Sequence, residues 1–464
     1  MAVGGRSPSF AVVSRRSLPF RAGIVICAAI IGMAAAEATA PSSRVVLDNG
    51  LTALAVQNMS TEVAGVALVV KVAAADEAQG KQGTRALLLQ VILSAGKAEI
   101  AETRELRSAR VHPSHGLSVN ADYELIEGIF SANVNELDLA LRVVAQAFFE
   151  PPLDEEHLGK ARELVVRTYD AAHRTPLQTT FELFKEAFYG SGPMAGALQG
   201  EPKTLAEVTP ADLAAMHAEQ YVASNTVVCV VAPLAPAEIA AAVEAAFGGL
   251  PKRDPPLTGD LPPLPEDSVV AVGSSEDLGQ ASMIVGVPLP AFGTDGYVVG
   301  DLVAQLVRGP GGRLERDRAL LQALGLAIPS RILAEHYPVK ALSVPVSRQP
   351  FLAVHALCSP SAIERTRRGL LRQLLALRTQ SVTDEEMTRA RKRLTNKEAL
   401  EYASPAKAAL HLCRYEALGG SGASQHYAER VAAITKDNLT QLALEQFGRH
   451  AIGVQMPITT ANDG

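Results

Sequence analysis

The sequence predicts an α+β protein of two tandem homologous domains, each a mixed or antiparallel sheet covered by helices on one face. Three observations carry that prediction: a Pro-rich divide near mid-chain, self-similarity between the segments on either side, and strand-like and helix-like runs that mix without strict alternation.

The divide is the stretch 251–265, where Pro251, Pro255, Pro256, Pro262, Pro263 and Pro265 leave no periodicity, so it reads as a linker. It separates an N-terminal unit, 41–250, from a C-terminal unit, 266–464. The units echo one another. Thr209–Tyr221 (TPADLAAMHAEQY) aligns without a gap with Thr435–Phe447 (TKDNLTQLALEQF), and an apolar strand-like run follows each. Upstream, Asp154-Glu155-Glu156 with Ala161-Arg162 is echoed by Asp384-Glu385-Glu386 with Ala390-Arg391. Two such matches in the same order point to a duplication.

The matched segments are helix starts. Thr209 and Thr435 are placed as N-caps, Pro210 stands at a first helical position, and Thr383 with Glu386 has the spacing of a capping box. Strands are expected over Arg44–Val56, as a hairpin around Asp48-Asn49-Gly50, and over Val63–Val72, Leu125–Ala132 and Thr226–Ala232. Amphipathic helices are expected over Leu137–Phe148, Leu158–Ala171 and Pro236–Phe247.

Composition is that of an ordinary globular chain: 464 residues, 48% hydrophobic and 20% charged, with a formal charge of -6. Residues 1–40 read as an export signal: arginines, the apolar run Ala22–Ala36, then Ala38-Thr39-Ala40 ahead of Pro41. Ser14-Arg15-Arg16-Ser17-Leu18 also has the look of a twin-arginine signal. Cleavage there removes four arginines and one glutamate, leaving 39 basic and 48 acidic residues, a charge of -9. The mature chain is then expected in the periplasm or secreted, with no membrane span. Its acidity and lack of a basic run argue against nucleic acid. Of the three remaining cysteines, Cys229 and Cys358 sit in strand-like runs and read as small buried hydrophobes, one disulfide being the alternative.

Taken together, Leu47-Asp48-Asn49-Gly50-Leu51, the run Lys71–Gly83, Tyr189-Gly190 to Gly200, the Thr209 helix and Phe247-Gly248-Gly249-Leu250-Pro251 resemble the pitrilysin/insulinase (inverzincin) metallopeptidase family, in its short two-domain, processing-peptidase-like branch. The resemblance runs from about Arg44 to Met456. It implies an H-x-x-E-H helix whose two histidines bind zinc and whose glutamate is the general base. In the matching stretch, Ala86 and Gln90 stand at the histidine positions and Leu89 at the glutamate. The third ligand would be a glutamate further on, where Thr168 stands, with Ala161 in place of a supporting glutamate seven residues earlier. Glu163 lies off the required face. Ligands and base are missing together, so no catalytic residue and no metal ligand is assigned, and zinc is expected only on a partner chain.

Other sites are sparse. His112 and His115 are the only close histidine pair and have no evident third ligand; His355 and His411 have apolar neighbours and read as core histidines. No nucleophile elbow or phosphate-binding glycine fingerprint occurs. The resemblance does place a substrate-recognising glycine-rich loop at Gly309, Gly311, Gly312 and Arg313, although a helix-entry turn would use the same glycines for geometry alone. It places a substrate-holding arginine at Arg318 and a tyrosine where Ile328 stands, with Tyr337 as a distant substitute. It also aligns Leu117–Ala121, including Asn120, with a substrate-side strand, although the run by itself reads first as an ordinary buried strand.

The expected function is that of a catalytically inactive peptidase-like protein, the peptide-binding partner of a zinc-bearing homologous subunit, or of a second copy of itself. A structural scaffold or peptide-binding homodimer without proteolytic role is the alternative, and an active zinc peptidase the third.

Overall fold

A computed structural model describes residues 43–102, 117–121, 125–190, 192–254, 256, 260–276, 278–307, 312–317, 319–320, 339–343, 348–419 and 426–458. Residues 1–40, read above as an export signal, the His112/His115 pair, Ile328 and Tyr337 lie outside the described residues.

Two sheets form. The first contains β1 (Ser43–Val46), β2 (Thr52–Gln57), β3 (Val63–Lys71), β4 (Ser118–Ala121), β5 (Leu125–Asn133) and β6 (Thr226–Ala232), in the order β1-β2-β6-β3-β5-β4. The second contains β7 (Val269–Ser275), β8 (Ala281–Pro288), β9 (Val339–Ser343), β10 (Phe351–Cys358) and β11 (Ala451–Pro457), in the order β7-β11-β8-β10-β9. Apart from the extra β1, the two orders are the same. In each, the last strand enters the middle of the sheet, parallel to one neighbour and antiparallel to the other. The duplication read from helix starts is thus repeated in topology.

The β1–β2 hairpin forms around the predicted turn, with Ser43 opposite Ala55 and Gly50 at φ +94°. Asn49 anchors it, donating from its amide to the Phe247 carbonyl at 2.8 Å. The predicted caps form as well: Thr209 with Asp212, Thr383 with Glu386 and Thr435 with Asn438 each exchange side-chain and backbone bonds across the first turn.

Helices of the first half are α1 (Thr84–Glu102), α2 (Leu137–Phe149), α3 (Glu155–His173), α4 (Pro176–Tyr189), α5 (Pro202–Glu207), α6 (Pro210–Gln220) and α7 (Pro236–Phe247). Those of the second are α8 (Asp295–Val307), α9 (Arg313–Arg316), α10 (Ile363–Leu375), α11 (Asp384–Glu401), α12 (Pro405–Gly419), α13 (Tyr427–Ala433) and α14 (Lys436–Gln446). Most lie on one face of their own sheet, as expected. The exceptions are α4 and α12, which cross over: α4 packs on β7, β8 and β11, and α12 on β3, β5 and β6.

Each half therefore supplies the helix that covers the other half's second face. Glycine permits the close approach at both places. A Cβ on Gly65 of β3 would lie 2.1 Å from backbone atoms of Pro405 and Ala406, and one on Gly453 of β11 would lie 2.4 Å from the Phe184 nitrogen. The α12 seam buries Cys229 and Cys413 among apolar residues, and the α4 seam sets Phe184 and Phe188 edge-to-face with Phe351. Cys229, Cys358 and Cys413 are all free and buried.

Candidate functional site

The residues at the positions aligned with the family's ligands lie on α1 and α3, two helices that pack against each other. A carboxylate starts α1: Glu77 Oε1 accepts from the backbone nitrogens of Gly83 (3.0 Å) and Arg85 (2.9 Å). Burial raises the Glu77 pKa, against the nearby Arg85 charge and those amide bonds. Arg85 is itself buried and donates through Nη2 to the Leu125 carbonyl at 3.3 Å, tying α1 to β5.

One turn on, Ala86, Leu89 and Gln90 are half-buried, and Ala86 and Leu89 pack against the same core as Val166 of α3. The Gln90 amide donates to Ser94 Oγ at 3.2 Å. On α3, Ala161 is buried, while the exposed Thr168 donates its hydroxyl to the Leu164 carbonyl at 2.9 Å. Glu163 is exposed and faces Arg167 at 3.9 Å.

This set does not fit a zinc ion. Alanine and leucine have no lone pair to offer, and neither an amide nor a threonine hydroxyl replaces imidazole or carboxylate as a ligand. No side chain among them could take a proton from water. Among the described residues no group of three or more His, Cys, Asp or Glu could hold a metal. His355 and His411 are partnered core histidines, with Ser282 Oγ at 2.9 Å and Glu398 Oε1 at 2.8 Å.

The strand beside this face is open on one side. β4 pairs with β5, Ser118 opposite Ile129 and Ala121 opposite Ile126, and is the last strand of its sheet. No strand among the described residues pairs with its outer edge. α1 lies against it: a Cβ on Gly96 would be 2.4 Å from Leu117 Cδ2. The backbone of Asn120 is therefore on a sheet edge adjoining the ligand-poor helix.

The glycine loop divides. Gly309, Gly311 and Arg318 lie outside the described residues, whereas Gly312 is the buried N-cap of α9 at φ -70°, a conformation open to any residue. Arg313 is engaged within the chain. It is buried and donates from Nε and Nη2 to the two oxygens of Glu386, at 3.2 and 3.3 Å. Arg316 donates to the same carboxylate.

The arrangement has relatives. A family model described as the peptidase M16 inactive domain matches residues 207–394, from the end of the first half into α11. Over those residues the chain is similar to the peptidase M16 family. Its fold is shared by a protease from Helicobacter pylori, at TM-score 0.76 and 16% identity over 89% of this chain and 99% of that one. A peptidase M16 inactive domain protein from Pseudomonas fluorescens aligns at 0.72 and 17%, over 89% and 98%. A chain of Complex III2 from Candida albicans aligns at 0.71 and 15%, over 89% and 95%. No curated protein matches the sequence.

Proposed function

We propose that this protein is the non-catalytic, peptide-binding subunit of a two-chain zinc peptidase, the zinc residing on a homologous partner. One observation carries the reading: α1 has Ala86, Leu89 and Gln90 and α3 has Thr168, with neither ligand nor base among them, while β4, which α1 contacts, keeps its outer edge unpaired among the described residues. Adding a strand to an edge uses backbone hydrogen bonds and so survives loss of the metal. Asn120 lies along that edge. Gly309, Gly311 and Arg318 belong to the proposal as a second contact from the other half. No described helix is long and apolar enough to cross a membrane. Residues 1–40 are proposed to direct the chain to the periplasm.

The test is purification of the mature chain from its native envelope, with zinc analysis and peptide-cleavage assays before and after removal of co-purifying chains. The expected result is a homologous zinc-bearing partner, no cleavage by the isolated chain, and a gain in the partner's kcat/KM when the chain is restored. Stoichiometric zinc and cleavage in the isolated chain would overturn the reading. Recovery of homo-oligomers alone would favour a scaffold role, the second reading, which the likeness to a chain of Complex III2 supports.

A further inference from the structure

The duplicated halves also differ in what covers the strand beside the last one. On the first sheet, Ala53 and Ala55 of β2 pair with Val228 and Val230 of β6, facing the helix layer beneath α7 at 1% and 2% exposure. The equivalent pairs in the second sheet are Val270 with Ile452 and Val272 with Val454. Here Val270 is 52% and Val272 65% exposed. No helix among the described residues takes the place of α7.

The bare strip continues onto α10. Both α2 and α10 follow a three-residue 3-10 turn and run for 13 residues, so Leu137, Leu141 and Ala145 of α2 correspond to Ile363, Arg367 and Leu371. The first three are buried at 2%, 0% and 8%, whereas their counterparts are half-exposed. Phe149, which meets the Phe247 ring at 6.2 Å, corresponds to Leu375. Beside Leu375 is a depression of about 380 Å³, lined also by Arg372, Arg378 and the exposed Leu444. By the Thr209/Thr435 alignment, Leu444 is the counterpart of Ala218, which lines a smaller pocket of about 240 Å³ with Phe149 and the Leu250-Pro251 segment that follows α7.

The substitutions also give the strip a charge. Residues 363–378 contain five arginines and one glutamate; Arg367 pairs with Glu364 at 2.7 Å and Arg372 with Asp317 at 2.6 Å, so the charge in excess comes from Arg365, Arg368 and Arg378. Arg367 interrupts the apolar stripe of α10. Arg368 follows it on the exposed side, and Arg378 keeps a buried Nε with no hydrogen-bond partner. The stripe of α7 that fills the equivalent groove is Ile239, Val243 and Phe247, all fully buried. A ligand matched to the second-half groove needs that i, i+4, i+8 stripe with carboxylates alongside it.

We propose that the strip formed by β7, α10 and α14 is a docking groove for an acidic amphipathic helix of another polypeptide, seated as α7 is on the first half. An anionic membrane fits the arginines, yet a helix fits both the charge and the concave shape that the duplicated half fills with one.

The experiment uses the full-length chain and a fluorescent peptide of residues 234–250 in which the three exposed alanines of α7, Ala237, Ala241 and Ala245, are replaced by Glu. Anisotropy is expected to show binding about tenfold tighter than to a scrambled peptide, weakened about tenfold by Val272→Glu or by Arg368→Glu and by added salt. Both substitutions lie on exposed positions, and unchanged melting profiles exclude misfolding. Absence of binding, or equal binding by both variants, would overturn the proposal. So would a dimer in light scattering that Val272→Glu dissociates, which assigns the strip to a second copy. Variant-sensitive sedimentation with phosphatidylglycerol vesicles, without peptide binding, assigns it to a membrane and overturns it equally.

Discussion

At the scale of single residues, the Arg313–Glu386 pair shows how one side chain can serve two contacts. Glu386 caps α11 through the Thr383 amide at 2.9 Å and also receives the Arg313 fork. Burial pushes the Glu386 carboxyl up, but Arg313 and the cap win and hold it at about 2. The unfolded chain therefore binds the proton more readily, so this stability is present above the ordinary value of 4.5 and is lost as pH falls from there toward 2. Urea melts should show that acid slope, and Glu386→Gln should flatten it while costing about 3 kcal/mol at pH 7, because Arg313 stays buried. An unchanged slope would remove the pair from the stability account. Lys185 is the opposite case. It is 1% exposed and donates to the Gly196 carbonyl, and burial lowers its pKa to about 8. The folded chain then holds fewer protons than the unfolded one between pH 8 and 10.5, so stability rises with pH across that window. Lys185→Met should gain about 2 kcal/mol at pH 7 after losing its carbonyl contact, an advantage that shrinks by pH 10.5. A variant equally stable at both pH values would refute this.

At the scale of elements, local chemistry was legible and long-range packing was not. The Thr209, Thr383 and Thr435 caps follow from residues three apart, and Thr226–Ala232 and Pro236–Phe247 form with the bounds their patterns suggest. Ala86, Leu89 and Gln90 fall on α1 and Thr168 on α3, helices whose existence follows from local pattern. Arg313 was not readable, since its partner lies 73 residues away. Nor was the crossing of α4 and α12, because an apolar face records that a helix is buried without saying which sheet covers it. The crossing makes Gly65 a sensitive position. Gly65→Ala should lower stability by about 3 kcal/mol, since its Cβ meets the backbone of Pro405 and Ala406, which cannot swing aside as a side chain can. Gly249→Ala, which meets nothing within 4 Å, should stay within about 0.5 kcal/mol of the parent. Similar melting temperatures for the two variants would show that α12 does not seat this closely.

At the scale of the whole molecule, the exchanged helices make each half incomplete by itself. Without α12 the first sheet would expose Ala67, Val69 and Val231, and without α4 the second would expose Ile284, Phe351 and Ala353. Polar contacts follow the same seams. Glu127, 2% exposed on β5, pairs with Arg414 of α12; Glu416 pairs with Arg44 at 2.9 Å; and Thr180 of α4 donates to Ser282 Oγ of β8 at 2.6 Å. Burying so much apolar and ionic surface between halves couples their unfolding, because opening either seam exposes both an apolar sheet face and charges that lose their partners. The full chain should therefore melt in one calorimetric transition, with van't Hoff and calorimetric enthalpies in agreement. Fragments 41–250 and 266–464 expressed separately should lack cooperative melts, and mixing them should restore a helical, cooperatively melting complex. Two independent transitions in the full chain, or a fragment that melts cooperatively alone, would show that α4 and α12 rest on sheets that do not need them.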